Sequence, residues 1–380
     1  MRIGFDGKRA VQNFTGLGNY SRYVADILCH FYPENDYVLY APKKRENKRV
    51  NLLTGQYRQL TLAYPATFFW KKLSSLWRVW GITSQLEKEG IELFHGLSNE
   101  LPLNIHKSRI KSIVTIHDLI FLRYPQYYQS IDRKIYTYKF RKACENADKI
   151  IAISECTKRD ITRYFNIPDD KIEVVYQGCD VSFTHPVTEE KKEEVRKKYQ
   201  LPDHYILNVG SIEERKNILA AVQALPMLPQ HIHIVIVGRR TGYTEKVEQF
   251  IKDNGLGERV HIISNVPFND LPAFYQSAEI FVYPSRFEGF GIPIIEALYS
   301  GIPVVAATGS AVSCLEEAGG PDSIYVNPDD ITGLADAFKQ IYSNSDKRKN
   351  MVEKGREFAK RFSEKQQSEE IINIYKKLIR

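Results

Sequence analysis

Thirteen short apolar runs that alternate with helical patterns constrain the fold of this 380-residue chain more than any other feature. Such alternation indicates parallel sheets with crossover helices. Because the chain is too long for one ordinary hydrophobic core, we expect two domains. The strand candidates form two series: 2–6, 37–41, 60–64, 92–95, 112–116, 149–153 and 172–176, then 205–209, 233–237, 260–263, 279–283, 303–306 and 323–326.

The two series predict an α/β protein with two Rossmann-like domains that face an interdomain cleft. A proline-containing connection and a highly charged helix at 181–200 separate them, so we place the domains at 1–185 and 186–363. The last segment, 364–380, contains an amphipathic helix from Glu364 to Leu378. In sheets of this kind, ligands bind beyond the carboxyl ends of the strands.

Composition narrows the class of protein. The chain is 43% hydrophobic and 26% charged, which is typical of soluble globular proteins. The sequence has no run of eighteen apolar residues, and MRIGFDGKRA enters a strand rather than a signal peptide, so we expect a cytoplasmic location. The five cysteines lack paired spacing, which favours reduced thiols over disulfides or metal ligands: Cys29, Cys144, Cys156, Cys179 and Cys314.

The positive charge lies in the first half of the chain. Residues 1–180 hold 28 Lys and Arg against 19 Asp and Glu, whereas 181–380 hold 25 against 27. An anionic partner is therefore expected for the first domain. Because the sequence carries no nucleic-acid-binding motif, we do not expect nucleic acid. A membrane surface and a pyrophosphate-bearing acceptor suit the bias equally well.

The stretch FVYPSRFEGFGIPIIEALYSGIPVVAA, 281–307, predicts a strand, a glycine-rich turn, a short helix and a second strand. Pro293 suits a helix start and Gly301 a helix end. Glu288 then lies in the turn and Glu296 about one helical turn into the helix. Backbone N–H groups at such a helix start favour an anion, typically phosphate. A surface loop before an amphipathic helix is the simpler interpretation, but two glycines around an aromatic residue are a poor choice for a mere connector.

Other loops of the second domain add candidates. Lys216 stands where a helix begins after strand 205–209, with Arg215 beside it. Arg239, in VGRRTGY, and Val266, in SNVPFNDLP, belong to strand-end loops that are candidates for enclosing a nucleobase. The carboxyl ends of parallel strands share one edge of a sheet, so these loops can share a ligand.

The first domain carries a loop that ends in Thr15-Gly16-Leu17-Gly18, before a helix predicted over 19–30. Glycines there suggest close approach to a phosphate or sugar. They come about ten residues after the strand, and the second strand ends without an acidic residue, so NAD binding is not expected. His117 follows strand 112–116 directly, where a histidine is either structural or part of a site at the sheet edge.

Residues 65–80, PATFFWKKLSSLWRVW, contain all three tryptophans together with Lys71, Lys72 and Arg78. An amphipathic helix of this composition is a candidate for peripheral contact with an anionic membrane at its inner face. The competing interpretation, which we favour, is that its apolar residues pack on the sheet: Phe69, Leu73, Leu76 and Trp80.

Eight motifs, spread over nearly the whole chain, resemble those of the retaining glycosyltransferases of the two-domain B type, family 4. They are TGLGNYSRYV, ELFHGLSNELP, VTIHDLIFLRYPQYY, ADKIIAISECTKRDI, KIEVVYQGCD, VGSIEERKN, SRFEGFGIPIIEALYSGIPVVA and YVNPDD. The resemblance implies transfer of a hexose from a nucleotide-diphosphate sugar to a saccharide or lipid-linked saccharide acceptor, with no metal or other cofactor. The HDLIFLRYP segment is most similar to mannosyltransferases of cell-surface polysaccharide assembly. Family members also return their last helix to the first domain.

The resemblance further implies roles for particular residues. Glu288 would contact the donor sugar near its reacting carbon, His117 would hydrogen-bond that sugar, and Glu296 would accept hydrogen bonds from the ribose. Lys216, with Arg215, would neutralise the leaving diphosphate, as would backbone N–H groups of Phe290, Gly291 and Ile292. Gly16 and Gly18 would border the phosphate and acceptor side.

One departure and several alternatives remain. Many relatives carry an arginine where this chain has Ser211, which places more of the phosphate charge on Lys216 and Arg215. A sugar-nucleotide epimerase or a phosphorylase could use the same fold. Hydrolysis of glycosides by two carboxylates would leave the lysine and the glycine loops without a purpose. A non-catalytic binding module is disfavoured by the presence of Glu288, Glu296, Lys216 and His117.

Overall fold

The computed structural model describes residues 1–309 and 313–379. The chain forms two compact units, and each has its own sheet. Unit 1 comprises Met1–Gln177 and the segment that begins at Glu364, and unit 2 comprises Gly178–Ser363. The first crossing between units thus follows Gln177, eight residues before the boundary expected from the sequence.

Unit 1 is built on a parallel seven-stranded sheet. Its strands are β1 (Arg2–Asp6), β2 (Asp36–Tyr40), β3 (Leu60–Ala63), β4 (Leu93–Gly96), β5 (Lys111–Ile116), β6 (Lys149–Ala152) and β7 (Ile172–Val174). The spatial order is β3-β2-β1-β4-β5-β6-β7. All their carboxyl ends therefore lie at one edge.

The helices of unit 1 cover both faces of this sheet. They are α1 (Lys8–Gln12), α2 (Gly16–Phe31), α3 (Lys48–Gln56), α4 (Phe68–Lys72), α5 (Ser74–Leu76), α6 (Ile82–Lys88), α7 (Ile120–Arg123), α8 (Ser130–Asn146), α9 (Glu155–Phe165) and α18 (Glu364–Ile379). A π-helical turn, Trp77–Gly81, joins α5 to α6. Two apolar clusters, one on each face, form the core of the unit.

Unit 2 repeats the plan with six parallel strands. They are β8 (Tyr205–Val209), β9 (His233–Val237), β10 (Val260–Ile263), β11 (Ile280–Tyr283), β12 (Val304–Ala307) and β13 (Ile324–Val326), in the order β10-β9-β8-β11-β12-β13. The helices are α10 (Glu189–Tyr199), α11 (Ile218–Ala224), α12 (Tyr243–Asp253), α13 (Leu271–Ser277), α14 (Ile292–Ser300), α15 (Ser313–Gly319), α16 (Ile331–Ser343) and α17 (Ser345–Ala359).

The predicted fold class is confirmed. All thirteen predicted strands are present with ends within two residues, and every pairing between strands is parallel. Buried parallel strands are continuous apolar runs, which is why the sequence located them well. The last helix, α18, returns to unit 1, where the buried Tyr375 hydroxyl lies 2.6 Å from Nδ1 of His95.

The exposure of the apolar residues in segment 65–80 contradicts the interpretation that they pack on the sheet. Phe69 is 60% exposed and Trp80 is 48% exposed, and Leu73 and Leu76 also face solvent. Trp77 alone among the tryptophans is fully buried. The non-helical Leu73 between α4 and α5 and the π-helical turn both interrupt the α-helical period, so one apolar stripe cannot cover the sheet along the whole segment. Among the described residues, helices of the length and apolar character needed to span a bilayer are absent.

Candidate active site

The loop of Glu288 leaves the carboxyl end of β11 and enters α14, as the sequence predicts. Gly291 precedes α14 with a φ of +138°, in the region that favours glycine, and Pro293 lies in the first turn. Gly301 ends the helix with a φ of +75°. The start of α14, with Phe290, Gly291 and Ile292, therefore lies at the carboxyl edge of the unit 2 sheet.

Glu288 is the centre of a buried polar cluster. Arg215 Nη1 lies 2.8 Å and Lys216 Nζ 3.5 Å from its Oε1 atom. The hydroxyls of Ser285 and Tyr283 donate to the same oxygen at 2.9 and 3.0 Å. Lys216 Nζ in turn donates to the Tyr283 hydroxyl at 2.8 Å. The structure thus joins the loops after β8 and β11 through one carboxylate oxygen.

The charges of this cluster are fixed by their neighbours. Burial alone would raise the pKa of Glu288, but Lys216 and Arg215 lower it to about 2, so the carboxylate is ionised at neutral pH. Burial likewise acts to lower the pKa of Lys216, and Glu288 raises it above its usual value. Only 15% of each of these two side chains is exposed. The result is a preorganised group of two cations and one anion.

Glu296 lies in a different environment. Burial raises its pKa to about 7, and the Tyr275 hydroxyl, which donates to Oε2 at 2.6 Å, opposes that rise. Tyr275 is held by ring contacts to Phe183 and Phe281, with centroids 5.3 Å away in both cases. The two glutamates therefore differ in charge state near neutral pH, which argues against identical roles.

Glycines let the neighbouring loops approach closely. A Cβ on Gly210, whose φ is +153°, would lie 3.0 Å from Lys216 Nζ. A Cβ on Gly238 would overlap the carbonyl oxygen of Gly210 at 1.7 Å. Ser211, the departure noted above, donates to Glu213 at 2.6 Å. Arg215 lies beside Glu288, whereas the Ser211 hydroxyl is bonded to Glu213 instead.

The remaining unit 2 candidates lie farther out in the strand-end loops. Arg239 is 74% exposed and pairs with Glu213 at 3.7 Å rather than with Glu288. Val266 is half-buried in the loop after β10, at the outer edge of the sheet. The Phe290 ring is buried against Phe362, with centroids 5.5 Å apart, so it contributes backbone rather than side chain to the edge.

In unit 1, the two predicted glycines differ in their surroundings. A Cβ on Gly18 would lie 2.0 Å from the Asn13 carbonyl oxygen, whereas a Cβ on Gly16 would meet no described atom within 4 Å. The buried Arg22 holds the loop by donating to the carbonyls of Ala10 and Asn13 at 2.7 and 2.8 Å. Gly18 is therefore required for the fold of the loop, and Gly16 leaves its outer side open.

His117 is buried at the carboxyl end of β5. Its Nε2 lies 2.9 Å from the Leu97 carbonyl oxygen, which can only accept, so Nε2 carries the proton. Nδ1 then accepts from the side-chain amide of Gln177 at 3.1 Å. Burial lowers the pKa of this imidazole to about 4, so the ring is neutral. The backbone N–H of His117 donates to Asn99 at 2.7 Å.

The structure thus brings together Glu288, Lys216 and Arg215, with the start of α14 and Glu296 nearby in unit 2. Gly16, Gly18 and His117 belong to unit 1. Sequence reasoning missed Tyr283, Ser285, Tyr275 and Gln177, whose only signal was a polar atom at a strand end or within an apolar pattern. Within residues 1–309 and 313–379, groups of three or more His, Cys, Asp or Glu able to hold a metal ion are absent.

Two family models match the chain. The model for glycosyl transferases group 1 matches residues 189–358, and the model for glycosyltransferase family 4 matches residues 21–183. The chain is also 31% identical, over 292 residues, to the O-antigen chain mannosyltransferase B of Escherichia coli, which covers 75% of this chain and 74% of that protein. This chain is a family 4, group 1 glycosyltransferase.

Further comparisons agree with this membership. The glycosyltransferase is 29% identical, over 228 residues, to the O-antigen chain mannosyltransferase RfbU of Salmonella typhimurium, covering 60% of each chain. Its fold matches that of Anabaena HepE in complex with UDP, with a TM-score of 0.77 and 18% identity over 100% of both chains. At that identity the structural likeness shows the two-domain B-type fold alone.

Proposed function

We propose that this glycosyltransferase uses a nucleotide-diphosphate sugar and retains the configuration of the transferred sugar. The observation that carries the proposal is the buried group of Lys216, Arg215 and Glu288 beside the start of α14. Two cations and a helix start fit a diphosphate, and an ionised carboxylate beside them fits a sugar ring that becomes positive.

The reaction needs negative charge to be stabilised where it develops. When the bond between the sugar and the phosphate breaks, charge builds on the diphosphate, and Lys216 and Arg215 would balance it from fixed positions. The acceptor hydroxyl would attack from the face that the diphosphate leaves, with its proton passing to a phosphate oxygen. Because these two cations and the start of α14 supply the positive charge, the proposal requires no metal.

The other candidates receive matching roles. Glu296 would accept hydrogen bonds from the ribose hydroxyls, and the loops of Arg239 and Val266 would border the base. His117 would bind the donor sugar through Nδ1, where a sugar hydroxyl would replace the amide of Gln177. Gly16, whose outer side is open, would allow a phosphate or sugar to approach unit 1 closely.

We further propose that the donor sugar is mannose and that the acceptor is a saccharide or a lipid-linked saccharide of a cell-surface polysaccharide. The names of the two O-antigen mannosyltransferases support the first part, and the UDP complex of HepE supports a nucleotide ligand. The exposed apolar residues of 65–80, with Lys71 and Lys72, support peripheral contact with an anionic membrane. A cytoplasmic location stays a prediction.

The test combines ligand binding with donor turnover. Melting temperatures are measured with UDP, GDP and ADP, since a ligand of the native state raises stability in proportion to the logarithm of its excess over Kd. GDP-mannose and UDP-glucose are then incubated with the enzyme, with and without EDTA, and the released sugar is followed by NMR. We expect one of the nucleotides to raise the melting temperature. We also expect slow hydrolysis of the donor that is unaffected by EDTA, and the first sugar released should have the same anomeric configuration as the donor.

Variants link the result to the site. Glu288→Gln and Lys216→Gln should each reduce donor turnover at least a hundredfold, whereas Lys339→Gln, an exposed lysine of unit 2, should not. Because breaking a buried ion pair costs about 3–5 kcal/mol, folding of each variant is checked by circular dichroism. Unchanged rates in both site variants would contradict the assignment. An epimerised sugar nucleotide, or a sugar phosphate formed only with free phosphate, would favour the alternatives on this fold.

A further inference from the structure

Two basic residues at the carboxyl edge of the unit 1 sheet have no role in the function proposed above. Lys8 and Arg9 follow β1 directly, and both side chains are half-buried. Across residues 1–309 and 313–379, neither side chain has a carboxylate within ion-pair distance. Half-burial of a charge without a partner is costly, so such a pair favours an anionic ligand.

The nearby carboxylates are already occupied. Arg78 contacts Asp6 through two nitrogens and donates to Glu100 at 2.6 Å, and Lys139 lies 3.6 Å from the same Glu100 oxygen. Four cations thus accompany two carboxylates, which leaves an excess charge of +2: Lys8, Arg9, Arg78 and Lys139 against Asp6 and Glu100. Burial and then repulsion from Arg78 lower the pKa of Lys8, and the attraction of Glu100 and Asp6 only partly opposes them.

A well-fixed loop with one open side lies next to the two cations. The Asn13–Gly18 loop lies against α1, because a Cβ on Gly18 would reach the Arg9 carbonyl oxygen at 3.0 Å. Arg22 fixes this loop, and the side of Gly16 is open. At the neighbouring end of β4, the hydroxyl of the buried Ser98 has no hydrogen-bond partner among the described residues.

Exposed apolar residues stand close in the chain to residues of the same edge. Arg78 anchors the 65–80 segment to Asp6, which is two residues before Lys8, and the flanking Leu76 and Trp80 are 44% and 48% exposed. Phe14, in the loop beside Gly16, is 54% exposed. An anion site of charge +2 next to exposed aromatic and aliphatic side chains matches a diphosphate carried on a hydrocarbon chain.

We propose that Lys8 and Arg9 bind the diphosphate of a lipid-linked acceptor, with the lipid running over Phe14, Leu76 and Trp80. This inference rests on the proposed function, because it assigns the acceptor of that reaction. It also explains the uneven charge of the chain, since the excess of Lys and Arg lies in residues 1–180. Arg78 has a positioning role instead, because its guanidinium is already paired with Asp6 and Glu100 and holds the 65–80 segment at this edge.

The experiment measures three probes by isothermal titration: farnesyl diphosphate, inorganic pyrophosphate, and whichever of UDP or GDP stabilises the protein. The diphosphates are titrated with and without saturating nucleotide, which blocks the Lys216 site. Lys8→Gln and Arg9→Gln should weaken farnesyl diphosphate and pyrophosphate at least tenfold and leave nucleotide affinity within twofold. The matched controls Arg109→Gln and Lys111→Gln alter cations at the opposite edge of the same sheet and should change none of the three.

Each outcome decides the proposal. Unchanged farnesyl diphosphate affinity in both Lys8→Gln and Arg9→Gln would overturn it. A loss of nucleotide affinity as large as that of Lys216→Gln would also overturn it, because the two cations would then serve the donor. If Lys216→Gln leaves nucleotide binding intact, the proposed donor site fails, whereas diphosphate binding by Lys8 and Arg9 is still decided by the Lys8→Gln and Arg9→Gln titrations. Melting temperatures should not fall in Lys8→Gln and Arg9→Gln, because neither cation has an ion-pair partner to lose.

Discussion

Ionisation of Glu296 should control nucleotide affinity in a pH range that is easy to measure. Its pKa of about 7 means that the carboxylate is about one-tenth ionised at pH 6 and about nine-tenths ionised at pH 8. Hydrogen bonds to a charged group contribute about 1.5–3 kcal/mol, against about 0.5–1.5 kcal/mol for neutral pairs. If the ribose hydroxyls donate to Glu296 and prefer its ionised form by about 1–1.5 kcal/mol, nucleotide affinity should therefore rise about threefold to sixfold between pH 6 and pH 8.

The assay compares Kd for UDP or GDP in the wild type and in Glu296→Gln from pH 6 to pH 9. The phosphate of the nucleotide titrates near pH 6 as well, but it does so equally with both proteins, so the ratio of the two Kd values isolates Glu296. In Tyr275→Phe the hydroxyl that donates to Glu296 at 2.6 Å is lost, which should raise the pKa of Glu296 further and move the midpoint of the ratio to higher pH.

The pH dependence of folding stability provides an independent test of the raised pKa of Glu296. The folded-state pKa of Glu296 is raised above its unfolded value, so the associated stability is present at low pH and is lost as the pH rises through about 7. Glu296→Gln should then melt at a higher temperature than the wild type at pH 8 without ligand, and yet bind nucleotide more weakly. A Kd ratio that stays constant from pH 6 to pH 9 would refute the reasoning, whatever the melting temperatures show.

Two further predictions concern unit 1. In ¹⁵N NMR spectra the His117 ring should be neutral with its proton on Nε2, and Gln177→Leu should shift the Nδ1 resonance while Nε2 stays protonated; a proton on Nδ1 in the wild type would contradict this assignment. The wild-type enzyme should float with vesicles rich in phosphatidylglycerol, and Phe69→Ser with Trp80→Ser should prevent flotation. The equally apolar and 72% exposed Leu52 provides the control Leu52→Ser, and a wild-type protein that stays off the vesicles would end the membrane proposal.

The fold could be predicted from the sequence because its signals are local. Buried parallel strands such as β8 and β9 are continuous runs of apolar residues, and helix ends such as that of α14 are set by Pro293 and Gly301. The positions of Glu288 and Glu296 followed from the same signals. Ser154 directly precedes α9 and caps it, because its hydroxyl accepts from Thr157 N–H at 3.0 Å. Asp270 occupies a cap position without capping; its carboxylate binds Lys191 and Lys198 instead.

Partners across the chain were not predictable in this way. The hydroxyls of Tyr283 and Tyr275 sit within apolar patterns, and their bonds to Glu288 and Glu296 exist only because the tertiary fold places them there. The same holds for His117, whose partner Gln177 is 60 residues away. A sequence pattern shows which face of an element is buried, whereas hydrogen-bond partners depend on how distant elements meet.

The basic residues of unit 1 show what this difference means for function. By sequence, Arg78 belongs with Lys71 and Lys72 as one of three cations for a bilayer, but the structure turns it inward onto Asp6, 72 residues away. Lys8, which belongs to no sequence pattern, forms no side-chain ion pair with a carboxylate among the described residues. Lys216 shares Glu288 with Arg215, so an anion that binds there would compete with a carboxylate, whereas an anion at Lys8 would break no ion pair of that side chain. If the proposed roles hold, inorganic pyrophosphate should therefore bind more tightly at Lys8 and Arg9 than at Lys216, and Lys8→Gln should weaken pyrophosphate binding more than Lys216→Gln does.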